Sequence, residues 1–179
     1  LISGMYYGFQ TLMKPCPRVE PQKNFNINKF FGHWHLSLVV LDATTEDFVE
    51  AAICVSGELQ KYNRTMIRQM WTIDSAETNS DQDPTMMFDF PTSVLQPGIW
   101  AVHTPLGGQI KATVFDSNPN VYMLVTHCGL HRGKMVHLWT AAVTRSRIIP
   151  AELRLKLTKS FYKNGFDPEI SKVISWETC

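Results

Sequence analysis

The sequence predicts an all-β protein: an eight-stranded up-and-down antiparallel β-barrel with one C-terminal α-helix packed against its outside. Its 179 residues, 44% of them hydrophobic and 18% charged, suit one folded domain with a large apolar interior. Between residues 31 and 143, short apolar runs alternate with turn-forming residues, as in a meander of strands. An open sheet of eight such strands would have exposed edges, whereas a closed eight-stranded barrel has none and can hold one small ligand.

The single domain is expected to comprise residues 14–179. Residues 1–13 carry no charge and contain two glycines, which suits a flexible N-terminal arm. In the domain, Asn, Gly, Pro and Ser residues that favour turns separate the apolar runs. These runs predict strands at residues 33–41, 50–62, 65–73, 85–90, 99–103, 109–115, 122–127 and 135–144.

One segment after the strands has the period of a helix. Leu153, Leu157 and Phe161 recur at intervals of four, so they form one apolar stripe over residues 151–162. The following Asn-Gly pair is a helix stop signal. We therefore expect one amphipathic helix whose apolar stripe packs on the outside of the barrel.

Charge and motifs point away from several classes of function. The chain has 17 basic and 16 acidic side chains, so a nucleic acid is not an expected partner. No apolar run is long enough for a transmembrane helix, so we expect no membrane span. The sequence has no G-x-S-x-G or H-E-x-x-H motif, and His33 and His35 have no third ligand nearby. We therefore predict a binding protein with neither catalytic residues nor a metal site, and the sequence indicates no oligomeric state.

Cysteines and a sequon indicate the compartment. Cys16, Cys54, Cys128 and Cys179 lie far apart, and their even number suggests two disulfides, for which three pairings exist. Asn63 begins an N-glycosylation sequon, which is used only in a secretory protein. Together these features predict a secreted, extracellular glycoprotein.

Three regions in order resemble the lipocalin family. Gly32-His33-Trp34, which opens the first strand, resembles the family's G-x-W signature. Val114-Phe115-Asp116 and the strand that follows resemble its second conserved region, and Arg145 resembles the arginine of the third. Phe115 departs from the usual threonine, and His35 stands where an aromatic residue often follows. The cysteine layout resembles the subgroup of apolipoprotein D, insect bilin-binding proteins and nitrophorin-like lipocalins.

The resemblance implies two disulfides and a structural cluster. In that subgroup the cysteine before the barrel pairs with the one that ends the seventh strand, which implies Cys16–Cys128 and Cys54–Cys179 here. The signature implies that Gly32, Trp34 and Arg145 have structural roles. Trp34 would close one end of the barrel, and the Arg145 guanidinium would lie across its ring as a cation–π pair.

Strand alternation predicts the lining of the cavity. Side chains two residues apart in a strand share a face, so we take Trp34 and Arg145 as markers of the inward face. Other large apolar and histidine side chains add candidates, although a bulge would reverse the face of any of them. The predicted ligand-binding residues are Leu36, Leu38, Val40, Trp71, Phe88, Trp100, His103, Tyr122, His137 and Trp139.

These observations together predict a secreted carrier or sequestering protein that binds one hydrophobic small molecule inside the barrel. The candidate ligands are a tetrapyrrole, a retinoid, a sterol and a fatty acid. The subgroup and the histidines favour a tetrapyrrole, with a biliverdin-like bilin ahead of haem, and His103, His127 or His137 could contact it.

Two alternatives stay open at this stage. Some salivary lipocalins act by binding proteins through their loops, and the acidic residues 74–84 would be the candidate surface here. The other alternative is a barrel isomerase that uses a free Cys54 thiol as its nucleophile, as in the lipocalin that resembles prostaglandin D synthase.

Overall fold

The computed structural model describes residues 14–42, 53–75, 86–167 and 171–175. They form nine strands and one α-helix. The strands are β1 (Gly32–Asp42), β2 (Ile53–Lys61), β3 (Met66–Ser75), β4 (Met86–Gln96), β5 (Ile99–His103), β6 (Gln109–Asn118), β7 (Tyr122–His131), β8 (Lys134–Thr144) and β9 (Ser171–Ser175), and the helix is α1 (Ala151–Lys163). The predicted N-terminal arm lies outside the described residues.

The first eight strands form a closed antiparallel barrel. From β2 to β8, each strand pairs with the next along the chain, and β8 pairs with β1. β1 also pairs with β2, from Gly32↔Leu59 to His35↔Ser56, which closes the sheet. The prediction of an eight-stranded antiparallel barrel followed by one helix is confirmed.

β9 is a strand that the sequence analysis did not predict. Its five residues pair with the second half of β1, from Leu38↔Ser175 to Asp42↔Ser171. β1 pairs with β2 only over its first four residues, so its second half offers a free edge to β9. Five residues give too short an alternation to be recognised in sequence after a helix.

β4 extends six residues beyond its predicted end at residue 90, to Gln96. The residue after the predicted end is Pro91, and a proline has no backbone N–H to donate to a strand ladder. Pro91 pairs with Arg68 of β3, whereas the pairing with β5 begins only at Thr92. The Val94 amide donates to the Thr65 carbonyl oxygen on the β3 side, so by alternation an N–H at residue 91 would point toward β5. The described pairing with β5 begins only after residue 91, so the missing N–H costs no ladder hydrogen bond there.

Two apolar layers hold the barrel and the helix together. The inner layer fills one end of the barrel and includes Phe25 and Phe30 from the segment before β1. The outer layer joins the barrel to α1. It contains Leu157 and Phe161 of the helix together with Leu38, Val40, Phe115, Tyr122, Leu124, Ala142, Ile149 and Phe166. The predicted packing of the helix stripe on the outside of the barrel is therefore confirmed.

The Cys16–Cys128 disulfide is present, with Cα atoms 5.7 Å apart. It fixes the segment before the barrel to β7. Cys54 is also disulfide-bonded, but Cys179, which the resemblance pairs with it, lies outside the described residues. A bridged sulfur is not a nucleophile, so the isomerase alternative loses the free thiol on which it depends.

Arg145 and Trp34 close one end of the barrel. The guanidinium carbon of Arg145 lies 3.9 Å from the centroid of the fully buried Trp34 ring. Gly32 has a φ of +102°, and a Cβ there would lie 3.3 Å from a guanidinium nitrogen of Arg145. A glycine at this position therefore allows both the positive φ and the close approach of the Arg145 side chain.

Asp116 ties α1 to the barrel. Its Oδ1 accepts a hydrogen bond of 2.9 Å from the Tyr122 hydroxyl, and its Oδ2 accepts one of 2.6 Å from Ser160 of α1. Burial, followed by the hydrogen bond to Asp116, raises the pKa of Tyr122 above its ordinary value. Tyr122 is therefore a neutral donor over the physiological pH range.

We expect Asp116→Ala to lower the free energy of unfolding by about 2 kcal/mol, because it leaves two partly buried hydroxyl groups without their acceptor. Urea unfolding followed by circular dichroism measures this loss. Asp116→Asn retains one acceptor oxygen and should lose about half as much. An Asp116→Ala variant as stable as the wild type would show that the carboxylate does not anchor the helix.

Candidate functional site

The interior of the barrel has a packed half and an accessible half. In the packed half, next to the segment before β1, Trp34, Leu59 and Trp100 are each at most 2% exposed. Towards the other end, where the β7–β8 turn lies, inward-facing apolar side chains are only partly buried although they lie inside a closed sheet. These side chains, here called the open-end wall, are Leu36, Trp71, Phe88, Phe90, Ile110 and Trp139. Solvent therefore reaches part of each of these side chains, unlike the side chains of the packed half.

Half of the predicted ligand-binding residues face the interior. These are Leu36, Trp71, Phe88, Trp100 and Trp139. Trp71 lies opposite Phe88, and its ring covers Gly57 so closely that a Cβ there would lie 2.5 Å from the indole. Trp100 lies in the packed half, with its ring centroid 6.2 Å from that of Phe25. Contact of these five side chains with a ligand stays a prediction.

The predicted inward orientation of Leu38 and Val40 is wrong. A β-bulge interrupts the pairing of β1 with β8 between Leu36 and Leu38, and an extra residue in a strand reverses the alternation that follows. Leu38 and Val40 consequently pack in the outer layer against α1. Val39 and Leu41 instead share a cluster with Leu36 and Trp139.

The predicted inward orientation of His137 is wrong for the same physical reason. The pairing of β7 with β8 skips Leu138, so the alternation counted from Arg145 fails beyond Trp139. His137 shares a hydrogen bond of 2.8 Å between its Nε2 and the Thr140 hydroxyl, and its ring centroid lies 5.7 Å from that of Phe166 in the outer layer.

The predicted inward orientations of Tyr122 and His103 are also wrong. Tyr122 belongs to the outer layer, while its neighbour Met123 belongs to the inner one. His103 follows the inward-facing Val102, and its Nε2 lies 3.0 Å from the Ser93 hydroxyl. Neither of their strands contains a residue of known orientation such as Trp34 or Arg145, so the sequence could not show which of their side chains point inward.

Polar side chains inside the barrel form one chain of hydrogen bonds that begins at Trp71 of the open-end wall. The Trp71 indole donates to Gln69 Oε1 over 3.0 Å, and the Gln69 amide donates to the Thr92 hydroxyl over 3.1 Å. Thr92 in turn donates to the Phe90 carbonyl oxygen over 3.0 Å. Each of these side chains therefore has a hydrogen-bond partner within the protein.

His127 is a functional candidate that the sequence named as a possible tetrapyrrole contact but left out of the predicted ligand-binding residues. Val125, two residues before it, lies in the inner layer. Cys128, the next residue, points outward to its disulfide with Cys16, so the His127 side chain lies inside the barrel. The ring stacks on Trp139, with centroids 4.4 Å apart and planes 19° apart. The predicted disulfide was the signal that could have identified it, because an outward Cys128 implies an inward His127.

The Nδ1 atom of His127 is fully buried and has no hydrogen-bond partner, although the ring as a whole is partly accessible. Burial lowers the pKa of His127 to about 3 and outweighs a hydrogen bond to the Trp139 backbone, which acts to raise it. The imidazole is therefore neutral at physiological pH. The neutral imidazole thus keeps one buried nitrogen, Nδ1, whose hydrogen bond the protein does not supply.

His127 should make the protein sensitive to acid. Its pKa falls from 6.5 in the unfolded chain to about 3 in the folded one, so the unfolded state binds the extra proton between these values. Stability should therefore fall by about 1.4 kcal/mol per pH unit as the pH drops through this window. Urea unfolding at a series of pH values measures the slope.

The control is His127→Phe, which should lose most of that slope. His35, whose pKa is lowered by burial and then by His33 and Arg147, contributes in the same direction and remains in both proteins. Equal slopes in wild type and variant would show that His127 is not the group responsible.

A groove of about 280 Å³ lies outside the barrel, between the β6–β7 turn and the start of α1. Arg145 lines it, but this guanidinium already donates to backbone carbonyls and lies against Trp34. The barrel interior, with the unpaired Nδ1 of His127 and a partly accessible aromatic wall, is the better candidate for a binding site.

No protein-family model matches the chain, and no curated protein matches it. Among the described residues, no group of three histidine, cysteine or acidic side chains is arranged to hold a metal ion. In that part of the chain, no helix is long and apolar enough to cross a membrane.

Proposed function

We propose that this protein is a secreted, lipocalin-like carrier or sequestering protein that binds one hydrophobic small molecule inside its barrel. The observation that carries the proposal is the open-end wall, whose apolar side chains face the interior and yet stay accessible. Covering such a wall with an apolar ligand is favourable by about 25 cal/mol for each Å² removed from water.

The aromatic character of the wall supports a ligand with a flat or extended apolar skeleton. Trp71, Phe88 and Trp139 offer ring faces or edges to it. A tetrapyrrole such as a biliverdin-like bilin, a retinoid, a sterol and a fatty acid all stay candidates. Of the three histidines considered for tetrapyrrole contact, His127 is the one on the inward face. An absorption spectrum of protein from its natural source tests the tetrapyrrole, because a bilin or haem would add visible bands.

Secretion is supported by the disulfide between Cys16 and Cys128, since such bonds persist in oxidising compartments. The Asn63 side chain lies exposed in the β2–β3 turn, where its Oδ1 accepts hydrogen bonds from the backbone of Thr65 and Met66. The sequon is thus on an accessible turn, as glycosylation requires. Mass spectrometry before and after glycosidase treatment tests whether Asn63 carries sugar.

A titration with retinol, a fluorescent probe with an extended apolar skeleton, tests the binding function. We expect one retinol per chain, detected by energy transfer from tryptophan. Trp71→Leu should weaken binding about tenfold, because it removes part of the aromatic wall. Tyr62→Ala changes an exposed residue at the β2–β3 turn and should leave the affinity unchanged.

A failure of retinol, biliverdin, cholesterol and oleic acid alike to bind would contradict the carrier function. Binding that both variants weaken equally would place the ligand outside the barrel.

The loop-mediated alternative has one observation in its favour. Leu106, in the β5–β6 turn, is fully exposed, and Leu130, near the end of β7, is 73% exposed. Both lie near the open end of the barrel, and a contiguous apolar patch there would suit contact with another protein. The acidic surface proposed for this function lies largely outside the described residues. A barrel that binds no small molecule but loses a protein partner in the Leu106→Ser and Leu130→Ser double variant would favour it.

A further inference from the structure

The described interior contains one polar atom that is buried without a hydrogen-bond partner, the Nδ1 of His127. The other inward-facing polar groups are satisfied by the protein. Gln69 and Thr92 bond to each other, and the indole nitrogens of Trp34 and Trp100 donate to the carbonyl oxygens of Phe30 and Pro97. Among the described interior groups, His127 is therefore the one at which a ligand would complete a missing hydrogen bond.

The unpaired nitrogen favours a ligand that can hydrogen-bond to it. A buried polar group that lacks a partner is unfavourable, and a bound molecule that supplies the partner recovers this loss. The nitrogen is a donor in one tautomer of the neutral imidazole and an acceptor in the other. A hydroxyl group both donates and accepts, so it fits either tautomer.

The surroundings of His127 disfavour an anionic group. Trp139 stacks on its ring, Ala112 lies opposite it on β6, and Val39 and Leu41 pack with Trp139. None of these can neutralise a carboxylate, and a buried charge without a partner is costly. His137, the nearest titratable side chain on β8, faces the outer layer. The imidazole itself resists protonation, because burial disfavours its charged form.

We propose that the barrel selects an apolar ligand with a neutral hydroxyl group over the carboxylate of the same skeleton, and that this hydroxyl hydrogen-bonds to Nδ1 of His127. The proposal rests on the carrier function and narrows its ligand class from hydrophobic molecules in general to neutral alcohols.

Retinol and retinoic acid form a suitable probe pair, because they share one skeleton and differ at the polar end. We expect the wild type at neutral pH to bind retinol at least about tenfold more tightly than retinoic acid. His127→Phe keeps an aromatic ring against Trp139 but removes the nitrogen, so it should weaken retinol binding about fivefold and leave little preference for the alcohol. His103→Phe changes an outward histidine and should behave as the wild type.

A second measurement does not depend on the stability of a variant. The wild type should bind retinol about fivefold more tightly than its deoxy analogue, in which hydrogen replaces the hydroxyl group. Equal affinity for this pair, or equal or tighter binding of retinoic acid, would overturn the proposal while leaving the carrier function intact. A preference unchanged in His127→Phe would also overturn it. If no member of the series binds, the carrier function fails, and this proposal fails with it.

Discussion

The double variant Cys16→Ala and Cys128→Ala is expected to be less stable than the wild type by about 4 to 5 kcal/mol. The disulfide joins residues 112 positions apart, so its removal frees a long loop in the unfolded chain. In the chain-entropy model, the gain in unfolded-state freedom from a loop of this length accounts for a loss of this size. For a protein that is stable by about 5 to 15 kcal/mol, this loss is a large fraction of the total.

Guanidinium unfolding without reductant measures the loss, with tryptophan fluorescence as the signal. The melting temperature should fall by roughly 10 to 15 °C. Single cysteine variants are poor controls, because each leaves a thiol that can attack the bridge at Cys54. A double variant at two exposed sites, Leu106→Ala and Leu130→Ala, supplies the matched control and should cost little. A loss below about 1 kcal/mol for the cysteine pair would imply that backbone contacts alone anchor the N-terminal segment.

Those backbone contacts are real but few. Residue 15 forms an isolated bridge with Val136, and the Cys16 amide donates to the Met135 carbonyl oxygen over 3.1 Å. The His137 amide donates to the Lys14 carbonyl oxygen over 2.9 Å. Each such hydrogen bond contributes about 1 kcal/mol or less to the net stability when solvent competes for it. The disulfide should therefore dominate the anchoring of residues 14–16 to β7 and β8.

The architecture could be predicted from sequence because it depends on the regular spacing of apolar residues, which repeats along the whole of each strand or helix. The i, i+4 stripe of α1 survives any error of one residue in its bounds, and Leu157 and Phe161 are buried as predicted. The barrel follows from the number and order of strands rather than from their ends. β9 and the continuation of β4 beyond residue 90 were missed because a five-residue strand and a proline carry little or misleading local signal.

The site was harder to predict because whether a side chain points into the barrel depends on every residue between it and the residue whose orientation is known. One inserted residue reverses all that follow it, so the bulge after Leu36 turned Leu38 and Val40 outward and brought Val39 inward. The irregularity at Leu138 had the same effect on His137. Trp71 and Phe88 were placed correctly, and the pairing between their strands is continuous. Bulges arise from tertiary packing, so a single sequence does not reveal them.

Trp34→Ala should cost about 4 kcal/mol, because it removes the largest fully buried side chain at the closed end. The ring lies nearly parallel to Phe30, with centroids 6.1 Å apart, and its indole nitrogen donates to the Phe30 carbonyl oxygen over 2.8 Å. The Arg145 guanidinium lies over the Trp34 ring and donates to the carbonyl oxygens of Lys29 and Pro119. Loss of the indole therefore leaves a cavity between β1, the segment before it that contains Phe30, and Arg145 at the end of β8. Urea unfolding measures the cost.

Trp139→Ala is the matched control, because it removes the same side chain from the open half. The Trp139 ring is already partly accessible, so its loss should cost only about 1 to 2 kcal/mol. Retinol affinity should respond in the opposite order, with Trp139→Ala weakening binding and folded Trp34→Ala retaining it. Equal losses of stability in the two variants would show that the open half is as tightly packed as the closed one. The division of the interior into a structural end and a binding end, on which the proposed function depends, would then be wrong.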